Sequence, residues 1–198
     1  MPDLDAFPFE PIIKAIWLGF LLCWLWYARR VKAVQRREGV AVRFAKYWLP
    51  LLVAGALLGP GAWFGDGDHG LKTRFVPRSG AVAALGCLLT LAGVAFAVRA
   101  RQVLGRNWSV AVQLKREHEL IVRGPYRWVR HPIYSGLLLA FLGTAIAIGE
   151  VRALLALAIV AVSFWFKLRL EERWLEQQFG QAYADYRARV RALVPGVL

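Results

Sequence analysis

The residues best suited to chemistry lie in the stretch GPYRWVRHPIYSG, Gly124 to Gly136, where Arg130, His131, two tyrosines and a proline stand at the head of an uncharged apolar run. Pro132 suits the first position of a helix, because its missing N–H would have no partner there. The other free N–H groups of that helix start, reinforced by Arg130, would hold an anion such as a carboxylate or phosphate. Tyr134 follows His131 by about one helical turn, so both side chains can face one site. Far along the chain, Glu171 and Glu172 supply negative charge between Arg169 and Arg173. Adjacent helical residues point in different directions, so one acid is expected to bind a ligand while the other pairs with Arg169, Arg173 or Arg130. A zwitterion matches both halves, its carboxylate at the helix start and its ammonium on a glutamate. The faces of Tyr126, Trp128 and Tyr134 would favour a cationic centre in the same ligand.

The elements that must position these residues are apolar. Of the 198 residues, 58% are hydrophobic, too many for an ordinary soluble domain. They fall into five blocks: Pro11 to Tyr27, Phe44 to Phe64, Ala81 to Val98, Ile133 to Gly149 and Val151 to Phe166. Each is near the length of about 17–25 residues that crosses a bilayer as a helix. The expected fold is an all-α integral membrane protein with about five transmembrane helices. The fourth and fifth blocks are joined only around Gly149 to Arg152, which predicts a tight antiparallel hairpin. That hairpin would bring Arg130, His131 and Tyr134 at one open end to Lys167, Arg169, Glu171 and Glu172 at the other. Beyond Glu172, the apolar and aromatic residues Trp174, Leu175, Phe179, Tyr183, Tyr186 and Val190 predict a further helix lying at the interface, with Gly180 as a kink. The whole chain, 1–198, reads as one membrane domain: three spans in 1–100, then the loop, hairpin and C-terminal helix in 101–198.

Charge is concentrated in the connections. The net charge of +13 comes from arginines and lysines between the first and second blocks, between the third and fourth, and in the tail, which the positive-inside rule puts on the cytoplasmic side. The N-terminus is then outside, and the C-terminus and the site are inside. Anionic lipid headgroups are the simplest partners for this charge, rather than nucleic acid. Acidic residues before the first block and the lack of a small-residue cleavage site argue that it stays as an anchor. Cys23 and Cys87 lie in separate apolar blocks without metal-ligand spacing, so they indicate neither a disulfide framework nor a zinc site. Asp66, Asp68 and His69 read as a solvated turn rather than a metal site, His118 as a loop residue, and Trp108 as an interfacial or cavity-lining one. No glycine-rich dinucleotide motif or P-loop is present.

Each half of the site has a plainer reading. Arg130, His131 and Tyr134 could simply anchor a helix in the headgroup zone, and two neighbouring glutamates are commonly solvated. Their occurrence at opposite ends of one hairpin makes a shared site the better account, because ionisable groups beside a span are costly to desolvate.

In order along the chain, RHPIYSG, the hairpin after it, and EERWLEQQFGQAYADYRARV before Pro195 resemble the isoprenylcysteine carboxyl methyltransferases, and more broadly the integral-membrane methyltransferases that include phospholipid N-methyltransferases. The resemblance covers about the last half of the chain, from Gly105 onward. It implies S-adenosylmethionine as cofactor, with Tyr126, Arg130, His131 and Tyr134 around it, Pro132 shaping the entrance, and Glu171 or Glu172 on its amino-acid part. Arg169 and Arg173 become the candidate catalytic residues, ordering those acids or an anionic acceptor. The implied acceptor is hydrophobic or lipid-like, an isoprenylcysteine-type carboxylate among the options, and the compact plan resembles prokaryotic members of an inner membrane. Membrane sterol reductases share an HPxYxG element but use NADPH; the acid pair and the small helix number favour methyl transfer. A non-catalytic lipid-interaction protein retaining the fold is the remaining alternative.

Overall fold

A computed structural model describes residues 8–28, 44–67, 69–105 and 120–196. The basic connection 29–43 and residues 106–119, with Trp108 and His118, lie outside the described residues, as does Asp68. Six α-helices carry the described chain: α1 Phe9–Ala28, α2 Leu49–Leu57, α3 Gly80–Leu104, α4 Pro132–Ile148, α5 Val151–Phe179 and α6 Gln181–Arg189. Helices α1, α3 and α5 are long and apolar enough to cross a membrane, and α4 is a shorter apolar helix. Large apolar side chains such as Leu22, Leu25, Leu88 and Phe166 are left exposed along these helices, as expected of surfaces that face lipid rather than water.

Glycine sets the central packing. On α3, Gly86 and Gly93 face Gly143, Ala147, Gly136 and Ala140 of α4 so closely that a Cβ on either would strike the opposing backbone. Lipid tails are as apolar as leucine, so helices in a bilayer associate through such close contact rather than by hydrophobic exclusion. Between the glycines, the buried Thr90 hydroxyl donates to the Gly86 carbonyl at 2.8 Å and lies 3.3 Å from the Thr144 hydroxyl. Thr144 also accepts from Trp17 Nε1 of α1 at 3.1 Å, which fixes the first helix to the pair.

At the end of the hairpin away from the acids, Gly149 takes φ +73°, a left-handed turn that costs a glycine little. Buried Arg152 donates to Glu150 at 2.5 Å and to the carbonyls of Leu57 and Gly59 at 2.6 and 2.7 Å. It thereby satisfies the free carbonyls at the end of α2 and ties that short helix to the start of α5.

Three expected spans differ in extent: the third runs past Val98 to Leu104, and the second and fifth differ in ways that matter to the site. The second block does not run to Phe64: after a π-helical turn, Phe44–Trp48, α2 ends at Leu57 and a 3-10 turn covers Gly61–Phe64. Pro60 lacks an N–H and disfavours helix in the residue before it. The fifth span does not stop at Phe166 but continues to Phe179, through residues of good helix propensity. The break comes at Gly180, with φ +51°. The acid pair therefore sits on the extension of α5, and the single helix expected from Trp174 to Val190 is two.

Candidate active site

The site forms where the start of α4 meets the far end of α5. Arg130 and His131 are held in an extended segment, because their backbone N–H groups donate to Arg191 and Ala192 at 2.8 and 3.0 Å. Val129 and Arg191 form a parallel bridge there. Two side chains secure the same tail: Ser135 Oγ donates to the Leu193 carbonyl at 2.6 Å, and the Tyr186 hydroxyl to the Tyr126 carbonyl at 2.5 Å. Helix α6 is thus drawn over the head of α4, and Tyr183 and Tyr186 are buried.

From this frame Arg130 reaches Glu172, with Nε at 2.9 Å and Nη2 at 2.5 Å from Oε1, while Nη1 donates to the Val190 carbonyl. His131 lies between both acids. Its Nε2 is 3.2 Å from Glu172 Oε1 and its Nδ1 is 3.5 Å from Glu171 Oε2. Tyr134 donates to Glu171 Oε1 at 2.5 Å, its ring stacks on that of His131 with centroids 5.7 Å apart, and Lys167 Nζ lies 5.4 Å from its centre. The expectation that the two acids point apart is corrected here: their side chains converge on the two nitrogens of one ring.

Electrostatics follow from burial and pairing. Burial alone would lower the His131 pKa, but hydrogen bonds and charge from Glu171 and Glu172 outweigh it and hold the imidazole above its ordinary value. Only the imidazolium can donate at both nitrogens. Burial also raises the phenols: Tyr186 to about 12, and Tyr126 and Tyr183 further, with the nearby charges of Glu171 and Glu172 adding to the rise. Glu172 keeps 7% of its side chain exposed against 26% for Glu171, so Glu171 is the acid with room for a ligand.

The structure therefore brings together Arg130, His131, Tyr134, Glu171 and Glu172, with Pro132 at the first helical position and Tyr126 buried beneath Tyr186. It does not bring in Trp128, which is exposed and stacked on Phe96 at 6.3 Å. Nor does it bring Arg169 or Arg173 to the acids. Arg169 is exposed over the Trp165 ring at 5.7 Å, and Arg173 lines a groove elsewhere on α5. Ser135 and the tail segment 190–193 were not singled out by sequence; a hydroxyl one turn into an apolar helix was the available signal.

The description "phospholipid methyltransferase" belongs to a family model that matches residues 81–182. Over 96 residues the chain is 35% identical to protein-S-isoprenylcysteine O-methyltransferase B of Arabidopsis thaliana, covering 47% of this chain and 49% of that protein. It is 32% identical over 114 residues to protein-S-isoprenylcysteine O-methyltransferase of Saccharomyces cerevisiae, covering 56% and 48%. The chain thus spans about half the length of these curated relatives. In fold, it resembles the solved eukaryotic intramembrane Ras methyltransferase, an isoprenylcysteine carboxyl methyltransferase, with a TM-score of 0.55, 22% identity, and coverage of 95% of this chain and 69% of that one.

Proposed function

The chain belongs to the phospholipid methyltransferase family, and from that premise we propose that it transfers a methyl group from S-adenosylmethionine to a hydrophobic or lipid-like acceptor at a membrane. The observation that carries the reading is the His131 imidazole held between Glu171 and Glu172 at the open end of the α4–α5 hairpin. The residues present fit the cofactor. Glu171, partly open, suits the ammonium of the cofactor's amino-acid part, and the Tyr134 ring beside it already carries the Lys167 ammonium at 5.4 Å, the kind of cation contact that a sulfonium would make. When bound, S-adenosylmethionine supplies a methyl group already activated for in-line displacement.

What the protein contributes is position and exclusion of water. Arg130 and His131 hold Glu172 in place, Tyr134 orients Glu171, and α6 with its tail covers the cluster. His131 faces two carboxylates that hold its pKa above the ordinary value, so the site is built to keep a proton on the imidazole rather than to take one from an acceptor. That favours an acceptor that arrives deprotonated, such as a carboxylate, over a protonated amine, which would first need a base. An S-isoprenylated cysteine is the first acceptor to try, given the names of the relatives. The cytoplasmic placement of the site, an inner-membrane location of prokaryotic type and general attraction to anionic lipids rest on the distribution of basic residues and on the compact plan.

Calorimetric binding of S-adenosylmethionine to detergent-purified protein tests the reading. Glu171→Gln should weaken binding by about tenfold to a hundredfold, the scale of one hydrogen bond to a charged group. Saturable NADPH binding in place of S-adenosylmethionine would move the chain to the reductase class.

A further inference from the structure

The acid cluster holds one cation to which the chemistry above gives no part. Lys167 stands one helical turn before Glu171 on α5, so the two side chains share a face, and its ammonium lies 5.4 Å from the centre of the Tyr134 ring. The residue is half-buried, and its charge acts on the Glu171 carboxylate. Phe164, a further turn back, packs on the same ring with centroids 4.9 Å apart. Tyr134 thus has an acid at its hydroxyl and an apolar side chain against its ring. Lys167 lies at that boundary, roughly 6 Å along α5 from Glu171 toward the apolar length of the helix at about 1.5 Å per residue.

The arginines considered for this site are committed or aimed away. Arg130 is held by Glu172 and the Val190 carbonyl, and Arg169 lies over Trp165. Arg173, two residues past Glu171, stands roughly opposite it at about 3.6 residues per turn. An ammonium over Tyr134 and beside Glu171 also occupies the place of the cofactor's cationic end in the methyl-transfer reading, on which this inference rests. Like charges in one half-buried cluster repel, so Lys167 must yield when the cofactor enters, and its flexible four-carbon stem lets the head move without a backbone shift.

An acceptor anchored in the bilayer approaches along the apolar length of α5, and its reactive group meets Lys167 before it reaches Tyr134. We propose that Lys167 selects an anionic acceptor: in the empty site it is the counter-charge of Glu171, and once the cofactor's cationic end has taken that place, its ammonium holds the acceptor's carboxylate. The acceptor therefore binds well only after the cofactor. In the transfer a carboxylate oxygen bonds the methyl carbon as the carbon–sulfur bond breaks with its electron pair kept on sulfur, so no proton moves. The ester that results carries no charge for Lys167 to hold, which favours its release.

Calorimetry on the full chain in detergent tests the proposal with two probes, S-farnesylated N-acetylcysteine and its neutral primary amide, each with and without saturating sinefungin, a cationic cofactor analogue that transfers no methyl group. With sinefungin bound, the carboxylate should be preferred over the amide by about tenfold or more, the scale of a hydrogen bond to a charged group. Without it the preference should shrink, because Lys167 is then engaged at Glu171. Lys167→Met should abolish the preference and at the same time tighten sinefungin by about threefold, the scale of one partly exposed charge pair. A residue that only supports the fold would not move the two affinities in opposite directions. Lys167→Arg, which keeps the charge, should retain the preference. A preference that survives Lys167→Met, or sinefungin binding no tighter in that variant, overturns the proposal. Equal affinities for carboxylate and amide in the unaltered chain with sinefungin bound overturn it while leaving the methyl-transfer reading intact, whereas failure of the unaltered chain to bind either sinefungin or S-adenosylmethionine removes both.

Discussion

Arg130 closes on Glu172 with two N–H groups converging on a single carboxylate oxygen, at 2.9 and 2.5 Å, and both side chains are less than a tenth exposed. Residues from the two ends of the α4–α5 hairpin are therefore locked by one buried ion pair. Desolvating two charges is costly, and their attraction offsets the cost only when geometry and further hydrogen bonds are good. Here Arg130 has the Val190 carbonyl and Glu172 has His131 as additional partners.

Removing one partner leaves the other charge buried and unpaired. Arg130→Ala should destabilise the fold by about 3–5 kcal/mol, and Glu172→Gln should cost less because the amide oxygen can still accept from Arg130. Combining Arg130→Met with Glu172→Leu should recover part of the loss. Denaturant unfolding of the single and double variants in detergent reads the coupling, and strictly additive losses would argue that the pair acts independently.

His131 links stability to pH with a definite sign. Its folded pKa is raised above the ordinary value of about 6.5, so the folded chain binds a proton that the unfolded chain has already released. The stabilisation is fully present below about 6.5 and is lost as pH rises through the folded value. Unfolding midpoints measured from pH 6 upward should fall more steeply for the unaltered chain than for His131→Gln. Parallel profiles would remove the imidazolium from the account.

Much of this site was legible because helical spacing and a short connection are local facts. His131 and Tyr134 share a face by their spacing, and the turn at Gly149 forces the two ends of its hairpin together. What could not be read was which way side chains outside those constraints point. Trp128 has the residue type of a ligand cage, yet it stacks on Phe96 at the surface, and Arg169 has the charge to order an acid, yet lies over Trp165. The pairing of residues 129–131 with the tail had no periodic signature, since a short parallel bridge between distant segments leaves no pattern in either.

The α3–α4 contact makes a sharper test of packing than any side-chain deletion. A Cβ at Gly93 would strike the Gly136 carbonyl and the Ala140 backbone, whereas one at Gly19 of α1 meets nothing within 4 Å. Gly93→Ala should therefore destabilise by about 1–3 kcal/mol, the usual cost of overpacking. Gly19→Ala should be neutral or slightly stabilising, because alanine has the better helix propensity. Thermal unfolding in the same detergent compares the two, and equal midpoints would mean that the helices can separate without loss.

The tail is fastened mainly by hydrogen bonds, so its order should be separable from that of the helices. Tyr186→Phe removes the donor to the buried Tyr126 carbonyl, at a cost of about 1–3 kcal/mol if no water replaces it, and Ser135→Ala frees the Leu193 carbonyl. Together they should loosen residues 181–196, which would then be held by the hydrogen bonds from Arg130 and His131 alone, while the α4–α5 hairpin stays folded, because neither hydroxyl bonds to the Arg130–Glu172 pair. Limited trypsin digestion should then cut faster at Arg187, Arg189 and Arg191 in the double variant. If the tail also closes over bound S-adenosylmethionine, adding it should slow that cleavage in the unaltered chain. Equal rates with and without the cofactor would leave the tail as a structural strap that takes no part in binding.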